Sequence, residues 1–171
     1  MLGLLEGLGL RFGLAAGVLL LGKTPAAAAR LSGSFAKRKA QKTYWAIVAG
    51  NPHPTEGVME LHLAKRGVGD RELVVPAQPK DPDAQPAETE FVTISRAGPR
   101  ASRMALRPHT GRTHQLRAHM KAMGHPILGD ALYAPPEVQA MASRLLLHAC
   151  RLAFAHPADG TPQVFEDTAP F

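Results

Sequence analysis

Cysteine is almost absent from the sequence, since Cys150 is the only one among 171 residues. A single thiol cannot close an intramolecular disulfide, so the fold must be stabilised by an apolar core. The apolar fraction of 45% is large enough to form such a core in one domain of ordinary size. The lack of disulfides favours a reducing, cytoplasmic compartment.

Long hydrophobic runs are also missing. The longest apolar run without a charge covers residues 12–22 and falls short of the roughly 20 residues that a membrane-spanning helix needs. A signal peptide is the competing interpretation, because Arg11 precedes this run and alanines fill 26–29. We expect no membrane partner, because the pattern of the later elements continues from this segment without a break.

Negative charge is scarce relative to positive charge. Twenty Lys and Arg residues against 14 Asp and Glu residues give a formal net charge of +6. This excess favours a polyanionic partner, and RNA, DNA and an acidic membrane are all consistent with charge alone. The densest group of cations comprises Lys37, Arg38, Lys39 and Lys42.

Two aromatic residues, Tyr44 and Trp45, follow these cations directly. Cations beside aromatics suit RNA, because the charges hold phosphates while an aromatic face stacks on an unpaired base. The alternative is a frayed helix end followed by a core strand, which we favour for Trp45. Alternation along a strand places the two rings on opposite faces, so only one of them can face a ligand.

Helices are scattered among many short strands. Thr24 and Pro25 have the N-cap and first-residue signature of a helix, which we predict over 25–39. A second helix is predicted over 113–123, before Gly124. A short helix is predicted around 135–143, a proline-rich surface loop over 76–88, and strands at 43–50, 57–63, 71–76, 87–95, 103–108 and 145–157. The pattern predicts an α+β domain with mainly antiparallel strands.

The second predicted helix separates an apolar stripe of Leu116, Met120 and Met123 from a cationic face of His114, Arg117 and Lys121. Such a cationic face is ordinarily a solvated one. The alternative is a phosphate site formed with Arg112, which precedes the free N–H groups of the helix start.

The histidines do not predict a metal site. His114 and His119 lie about 140° apart around a helix, and no cysteine or carboxylate completes a ligand set. His148 and Cys150 are two residues apart on a predicted strand and could share a face. For this pair we favour a core thiol near a capping imidazole over a nucleophile and its base.

Four blocks in this order resemble the RluA-type pseudouridine synthases: GVLLLGKT, KTYWAIVAG, GRTHQLRAHMKAMGHPILGDALYA and LLLHACRLAFAHP. The resemblance defines an expected domain over 17–171 and leaves 1–16 as an unmatched Gly/Leu-rich segment. It implies a mixed, largely antiparallel sheet flanked by helices, and isomerisation of uridine to pseudouridine in rRNA or tRNA. It also implies a structured-RNA partner, a cytoplasmic monomer, and neither a metal nor an organic cofactor.

The resemblance implies roles for individual residues. Tyr44 would stack on the base and assist proton removal at C5, and Arg117 would pair with the nucleophilic aspartate. Leu146 and Leu147 would line the back of the pocket. Arg112 and His114 would lie nearby as RNA or structural contacts, alongside the RNA-binding cations 37, 38, 39 and 42.

The nucleophilic aspartate is missing from the expected position. In the family it belongs to a pattern H-R-L-D-x-x-T-S-G, and ungapped counting back from Gly17 places Phe12 at the aspartate. No aspartate precedes Asp70, and Glu6 is the only acid before Glu56. A buried charge without a partner is costly, so we expect Arg117 to be solvent-reachable or to have found another acceptor.

Two explanations for the missing aspartate are open. One is a truncated, frameshifted or wrongly started chain, in which the sequence before Gly17 is not the family's own. The other is a noncatalytic relative that has kept its RNA contacts. The abrupt onset of the match at Gly17 favours the first, because gradual decay would have altered Tyr44 and Arg117 as well.

Overall fold

The computed structural model of the chain describes residues 16–68 and 71–171. Phe12, the residue predicted at the aspartate position, therefore lies outside the described residues, as does most of the unmatched segment. Within the described ranges, no helix has the length and apolarity that crossing a bilayer requires.

Eleven elements follow one another along the described chain. They are β1 (Ala16–Gly17), α1 (Pro25–Ala36), β2 (Gln41–Ala49), β3 (Glu56–Val68), β4 (Arg71–Ala77), β5 (Gln85–Ala97), β6 (Ala101–Pro108), α2 (Gln115–Ala122), α3 (Pro136–Gln139), β7 (Leu147–Ala155) and β8 (Pro162–Glu166). The strands form one sheet in the order β1-β7-β2-β6-β5-β3-β4, with β8 also paired to β7.

Most neighbouring strands run antiparallel, as expected. The pair β1–β7 is parallel, so the sheet is mixed, and the predicted α+β class is confirmed. A short loop joins β5 to β6, which lets these consecutive strands pair directly.

The first helix begins where its sequence signature predicts. Thr24 is the N-cap, and its hydroxyl oxygen accepts a hydrogen bond from the N–H of Ala27 at 3.2 Å. The helix ends at Ala36, before the predicted end at residue 39, because Arg38 takes a left-handed conformation with φ of 56°. Lys37 and Arg38 therefore lie on a turn rather than on the helix, and Lys42 lies in β2.

The predicted loop at 76–88 is shorter in the structure. Strand β4 continues to Ala77 and β5 begins at Gln85, so 78–84 form the connection. Pro86 is compatible with β5 because it is the second residue of the strand, where the missing N–H is tolerated. Strand β8 was not predicted, since PQVFE has little apolar alternation and pairs at the edge of β7.

The main core lies between the sheet and α2, which packs against β3, β4, β5 and β6. The buried cluster comprises Ala46, Val48, Phe91, Met104, Leu106, Leu116, Met120, Ile127, Leu145 and Leu147. Leu116 and Met120 belong to it, and Met123 packs against it half-buried, so the predicted apolar stripe is confirmed. This packing fixes the position of α2 over the sheet.

The two aromatic residues at the start of β2 face opposite sides of the sheet, as strand alternation predicts. Tyr44 packs against the main core on the α2 side. On the other side, the Arg103 guanidinium carbon lies 3.7 Å from the centre of the Trp45 ring system. The structural role that we favour for Trp45 is consistent with this stacked contact.

Candidate active site

A cavity of about 320 Å³ lies between β2, the start of α2 and the start of β7. This volume is in the range of small-ligand pockets. Six of the residues predicted for the site line this central cavity: Lys42, Tyr44, Arg112, His114, Arg117 and Leu147. Positions that are far apart in the sequence therefore meet around one space.

Leu146 does not line the central cavity, contrary to the resemblance. Leu145 and Leu147 form its apolar wall instead. Successive residues of an extended chain point to opposite faces, so the neighbours on either side of residue 146 share one face and Leu146 takes the other. The exposed Lys37 and Lys39 lie outside the cavity wall.

The loop that precedes α2 is fixed by the side chain of Gln115. Its amide nitrogen donates to the carbonyl of Glu88 at 2.9 Å and to the hydroxyl of Thr89 at 3.0 Å. Its amide oxygen accepts from the hydroxyl of Thr110 at 2.7 Å and from the N–H of Arg112 at 3.0 Å. These four bonds hold the cavity loop on β5, and the only sign of them in the sequence is a polar side chain at this position.

Arg117 has found another acceptor, as expected for a guanidinium without its aspartate. The side chain is 6% exposed, and it donates from Nε to Oδ2 of Asp130 at 2.8 Å and from Nη2 to Oδ1 at 2.5 Å. The prediction of a solvated cationic face is wrong at this position. The residue is buried because its charge is matched by a fully buried carboxylate.

Asp130 is held in its ionised form. Burial raises the pKa of its carboxyl, but hydrogen bonds from Arg117 and from the N–H of Leu132 outweigh this, and the pKa falls below its ordinary value. Oδ1 accepts from the N–H groups of Leu132 and Tyr133 at 2.9 and 3.0 Å. The carboxylate thus joins α2 to the turn that follows Gly129.

Tyr133 completes a network behind the cavity. The Arg117 guanidinium lies 4.9 Å from the centre of its ring. The Tyr133 hydroxyl accepts from the N–H of Val74 at 2.9 Å and lies 3.1 Å from Nδ1 of His114. Burial, followed by the charge of Arg117, lowers the pKa of His114 and so favours its neutral form.

Asp130 and Tyr133 were not among the residues predicted for the site. Both lie in the block GDALY, which the resemblance includes without giving them a role. A signal was present, because Asp130 is an isolated acid within the apolar stretch ILGDALY. A buried acid in such a stretch needs a cationic or N–H partner.

One edge of the Arg117 guanidinium remains available to the cavity. Nε and Nη2 are engaged by Asp130, whereas Nη1 makes no hydrogen bond within the described chain. Because the residue lines the cavity, a fixed and charged donor is directed at whatever the cavity holds. Burial raises the pKa of the Tyr44 phenol on the same wall, so its hydroxyl stays protonated at neutral pH.

The described wall of the cavity contains no acidic side chain. Asp130 lies behind Arg117 and does not reach the cavity surface. Strand β1 pairs Ala16 with His148, which is next to Leu147 of the wall. Strand β1 therefore lies next to the wall of the cavity.

His148 and Cys150 have separate partners. The Cys150 thiol donates to the carbonyl of Thr43 at 3.3 Å, and burial raises its pKa, which disfavours a thiolate. Nε2 of His148 lies 3.1 Å from Oδ2 of Asp167, and its ring packs edge-on against Phe171. This arrangement agrees with a structural thiol and imidazole rather than a catalytic pair.

Comparison with known families gives a match over most of the chain. The family model described as RNA pseudouridylate synthase matches residues 14–122. The dual-specificity RNA pseudouridine synthase RluA of Escherichia coli (strain K12) is 43% identical over 159 residues, which cover 91% of this chain and 69% of the relative. RluA of Yersinia pestis is 44% identical to this chain over the same length, and the match covers 73% of that relative.

Solved structures have the same fold. The structure titled Human RNA Pseudouridylate Synthase Domain Containing 1 superposes with a TM-score of 0.75 at 28% identity. The match covers 87% of this chain and 62% of the human chain, so this chain spans less than two thirds of that structure.

Proposed function

The chain belongs to the RluA-type RNA pseudouridine synthases, and from that premise we propose that its central cavity binds a uridine of structured RNA. The observation that carries the proposal is that Tyr44, Arg117 and Leu147 line one cavity. An aromatic ring, a fixed guanidinium and an apolar wall provide stacking, a charged donor and exclusion of water.

The finer parts of the proposal concern substrate and context. The RNA is rRNA or tRNA, bound by a cytoplasmic monomer whose domain covers 17–171, without a membrane or a metal. Charges at Lys37, Arg38, Lys39 and Lys42 contact its backbone, and Arg112 and His114 contact the nucleotides around the target.

The base lies against Tyr44 in this proposal. Stacking of a base on an aromatic side chain contributes about 1–3 kcal/mol, and it needs only an exposed ring face. Nη1 of Arg117 donates to an oxygen of the uridine, and because Asp130 fixes the guanidinium, little side-chain entropy is lost on binding.

Isomerisation requires a group that attacks, or takes a proton from, the ribose while the C1′–N1 bond breaks. Phenylalanine at position 12 can do neither. Removal of one member of a nucleophilic catalytic unit slows a well-studied protease by roughly 10⁴- to 10⁶-fold. We therefore propose that this chain is a pseudouridine synthase by descent and isomerises uridine more slowly, by a factor of this order, than a relative that has the aspartate.

A noncatalytic RNA-binding relative is the second candidate. The acid-free wall of the described cavity favours it. The two candidates agree on RNA binding and differ in product formation.

The test is a single-turnover assay with excess protein on rRNA and tRNA, with pseudouridine mapped in the products and RNA binding measured in the same samples. RluA of Escherichia coli is the reference enzyme, and Phe12→Asp is the matched variant. Binding with a greatly slowed reaction supports the proposal, and gain of product by Phe12→Asp would add to it. Binding without any product supports the noncatalytic candidate instead. Product formation at the reference rate would contradict the missing-nucleophile argument, and absence of RNA binding would contradict the proposal itself.

A further inference from the structure

A second cavity, of about 410 Å³, adjoins the central one and is rich in cations. Its wall includes Arg38, Lys42, Arg107 and His109, and we refer to it as the basic basin. Lys42 and Pro108 line both cavities, so the two spaces meet at these side chains.

Lys42 is the cation at the place where the two cavities meet. Its ammonium lies 5.7 Å from the centre of the Phe35 ring, and within the described chain it forms no ion pair. A Cβ at Gly111 would stand 3.4 Å from Nζ, so the glycine leaves that side of the ammonium uncovered. A half-buried cation with an open side is suited to an anionic ligand.

The two arginines of the basin differ in their partners. Nη1 of Arg107 lies 3.1 Å from Oε2 of Glu90, and Nε2 of His109 lies 3.5 Å from the same oxygen. Glu88 is the acid in the wall, whereas Arg38, exposed on its left-handed turn, has no ion pair among the described residues. Positive charges therefore outnumber carboxylates around the basin.

We propose that the basic basin binds a backbone phosphate of the nucleotide adjacent to the uridine held in the central cavity. The inference rests on the proposed function and adds a ligand, a phosphodiester, and two residues, Arg107 and His109, to the RNA surface. A continuous wall allows one strand to place a base in one cavity and a phosphate in the next. Arg107 supplies a planar fork for phosphate oxygens, and Lys42 supplies a point charge.

The experiment uses a fluorescently labelled single-stranded RNA pentamer with one central uridine. Anisotropy titrations over a range of salt concentrations give the slope of log affinity against log salt for the full chain, Arg107→Gln, Arg107→Lys and Lys80→Gln. Lys80 is a matched control, because it is an exposed cation in the 78–84 loop outside both cavities. A second pentamer series carries a neutral methylphosphonate at one linkage at a time.

Loss of one phosphate contact lowers the slope by about 0.7 on a single strand. We expect that decrease for Arg107→Gln, a smaller one for Arg107→Lys, and no change for Lys80→Gln. We expect a neutral linkage next to the uridine to weaken RNA binding by the full chain. The same linkage should not weaken RNA binding by Arg107→Gln any further, because that variant has already lost the contact.

Two outcomes would contradict the proposed phosphate site in the basic basin, and the experiment distinguishes them. If the full chain binds the pentamer and Arg107→Gln behaves as Lys80→Gln does, the basin is not a phosphate site while the uridine cavity stands. If the full chain does not bind RNA at all, the proposed function fails and the basin fails with it. Thermal unfolding of each variant checks that the fold is intact, and Arg107 is exposed enough for this to be expected.

Discussion

Arg117 and His119 lie two residues apart on α2, and both are buried, yet their surroundings differ. Arg117 keeps its charge because Asp130 accepts two of its hydrogen bonds. His119 is fully buried, and neither ring nitrogen has a partner within the described chain. Burial lowers the pKa of His119 to about 4, so its imidazole is neutral near pH 7.

The difference shows what this fold requires of a buried titratable group. On the cavity side of α2, a permanent charge is retained because a carboxylate matches it. On the other side, the helix tolerates an imidazole only while it carries no charge. The two residues can therefore be separated by experiment, since one depends on a partner and the other on pH.

The largest expected effect comes from removing the partner of Arg117. Asp130→Asn leaves the guanidinium buried without its countercharge, which costs about 3–5 kcal/mol in the free energy of unfolding. Urea denaturation measures this loss. Glu72→Gln is the matched control, because it removes one carboxylate from a surface pair with Lys65 in which both side chains are more than half exposed; it is expected to cost about 1 kcal/mol or less. Equal losses in the two variants would contradict the importance of the buried pair.

The next effect is a pH dependence that originates at His119. Its pKa is about 4 in the folded chain against 6.5 for an ordinary histidine, so between these values the unfolded chain binds a proton that the folded chain does not. The stabilisation is complete above pH 6.5 and is lost as pH falls toward 4, by about 2 kcal/mol at pH 5. Urea denaturation at pH 7.5 and pH 5 should show this additional loss in the wild type relative to His119→Leu. His53→Leu, at an exposed histidine, is the control. An identical pH dependence in the wild type and His119→Leu would exclude this imidazole as the source.

A third effect concerns the cavity side of α2 and RNA binding. Tyr44→Leu should weaken binding of a uridine-containing oligonucleotide by about 1–3 kcal/mol, because it removes the stacking surface. Tyr44→Phe retains the ring and should bind nearly as the wild type does. Trp45→Leu is the matched control on the opposite face of the sheet, where the ring contacts Arg103. Fluorescence anisotropy measures the RNA affinity of all three variants. A greater loss of affinity in Trp45→Leu than in Tyr44→Leu would place the RNA on the opposite face of the sheet and contradict the proposal.

The smallest effect is the salt dependence of the wild type itself. Four to six phosphate contacts would give a slope of log affinity against log salt of about −3 to −4 on single strands. Titrations at several salt concentrations provide the slope. A flat response would show that the cations around the cavity do not contact the RNA backbone.

Several features of the fold could be predicted because they depend on local sequence. Thr24 and Pro25 determine where α1 begins, and alternation determines that Tyr44 and Trp45 face opposite ways. The family motifs predict the fold in more detail than secondary-structure propensity alone does. These signals act over a few residues or through several motifs in a fixed order, so a sequence can display them.

Other features depend on three-dimensional contacts. The pairing of Arg117 with Asp130 joins residues on either side of a turn, and the amphipathic pattern of α2 predicted a solvated cation instead. The wall residues at 145 and 147 depend on strand register, which a sequence fixes only when the partner strand is known. In the sequence Gln115 looks like an ordinary helix residue, because its four hydrogen-bond partners come close to it only in the folded chain.

The central claim is that a uridine lies in the cavity beside Tyr44. The most direct measurement is ultraviolet cross-linking of an RNA that contains a single 4-thiouridine, with the modified peptide identified by mass spectrometry. We expect the adduct on Tyr44 or within 110–117, and its loss in Tyr44→Leu if the ring is the site of attachment. Adducts confined to the face that carries Trp45 and Arg103 would contradict the claim.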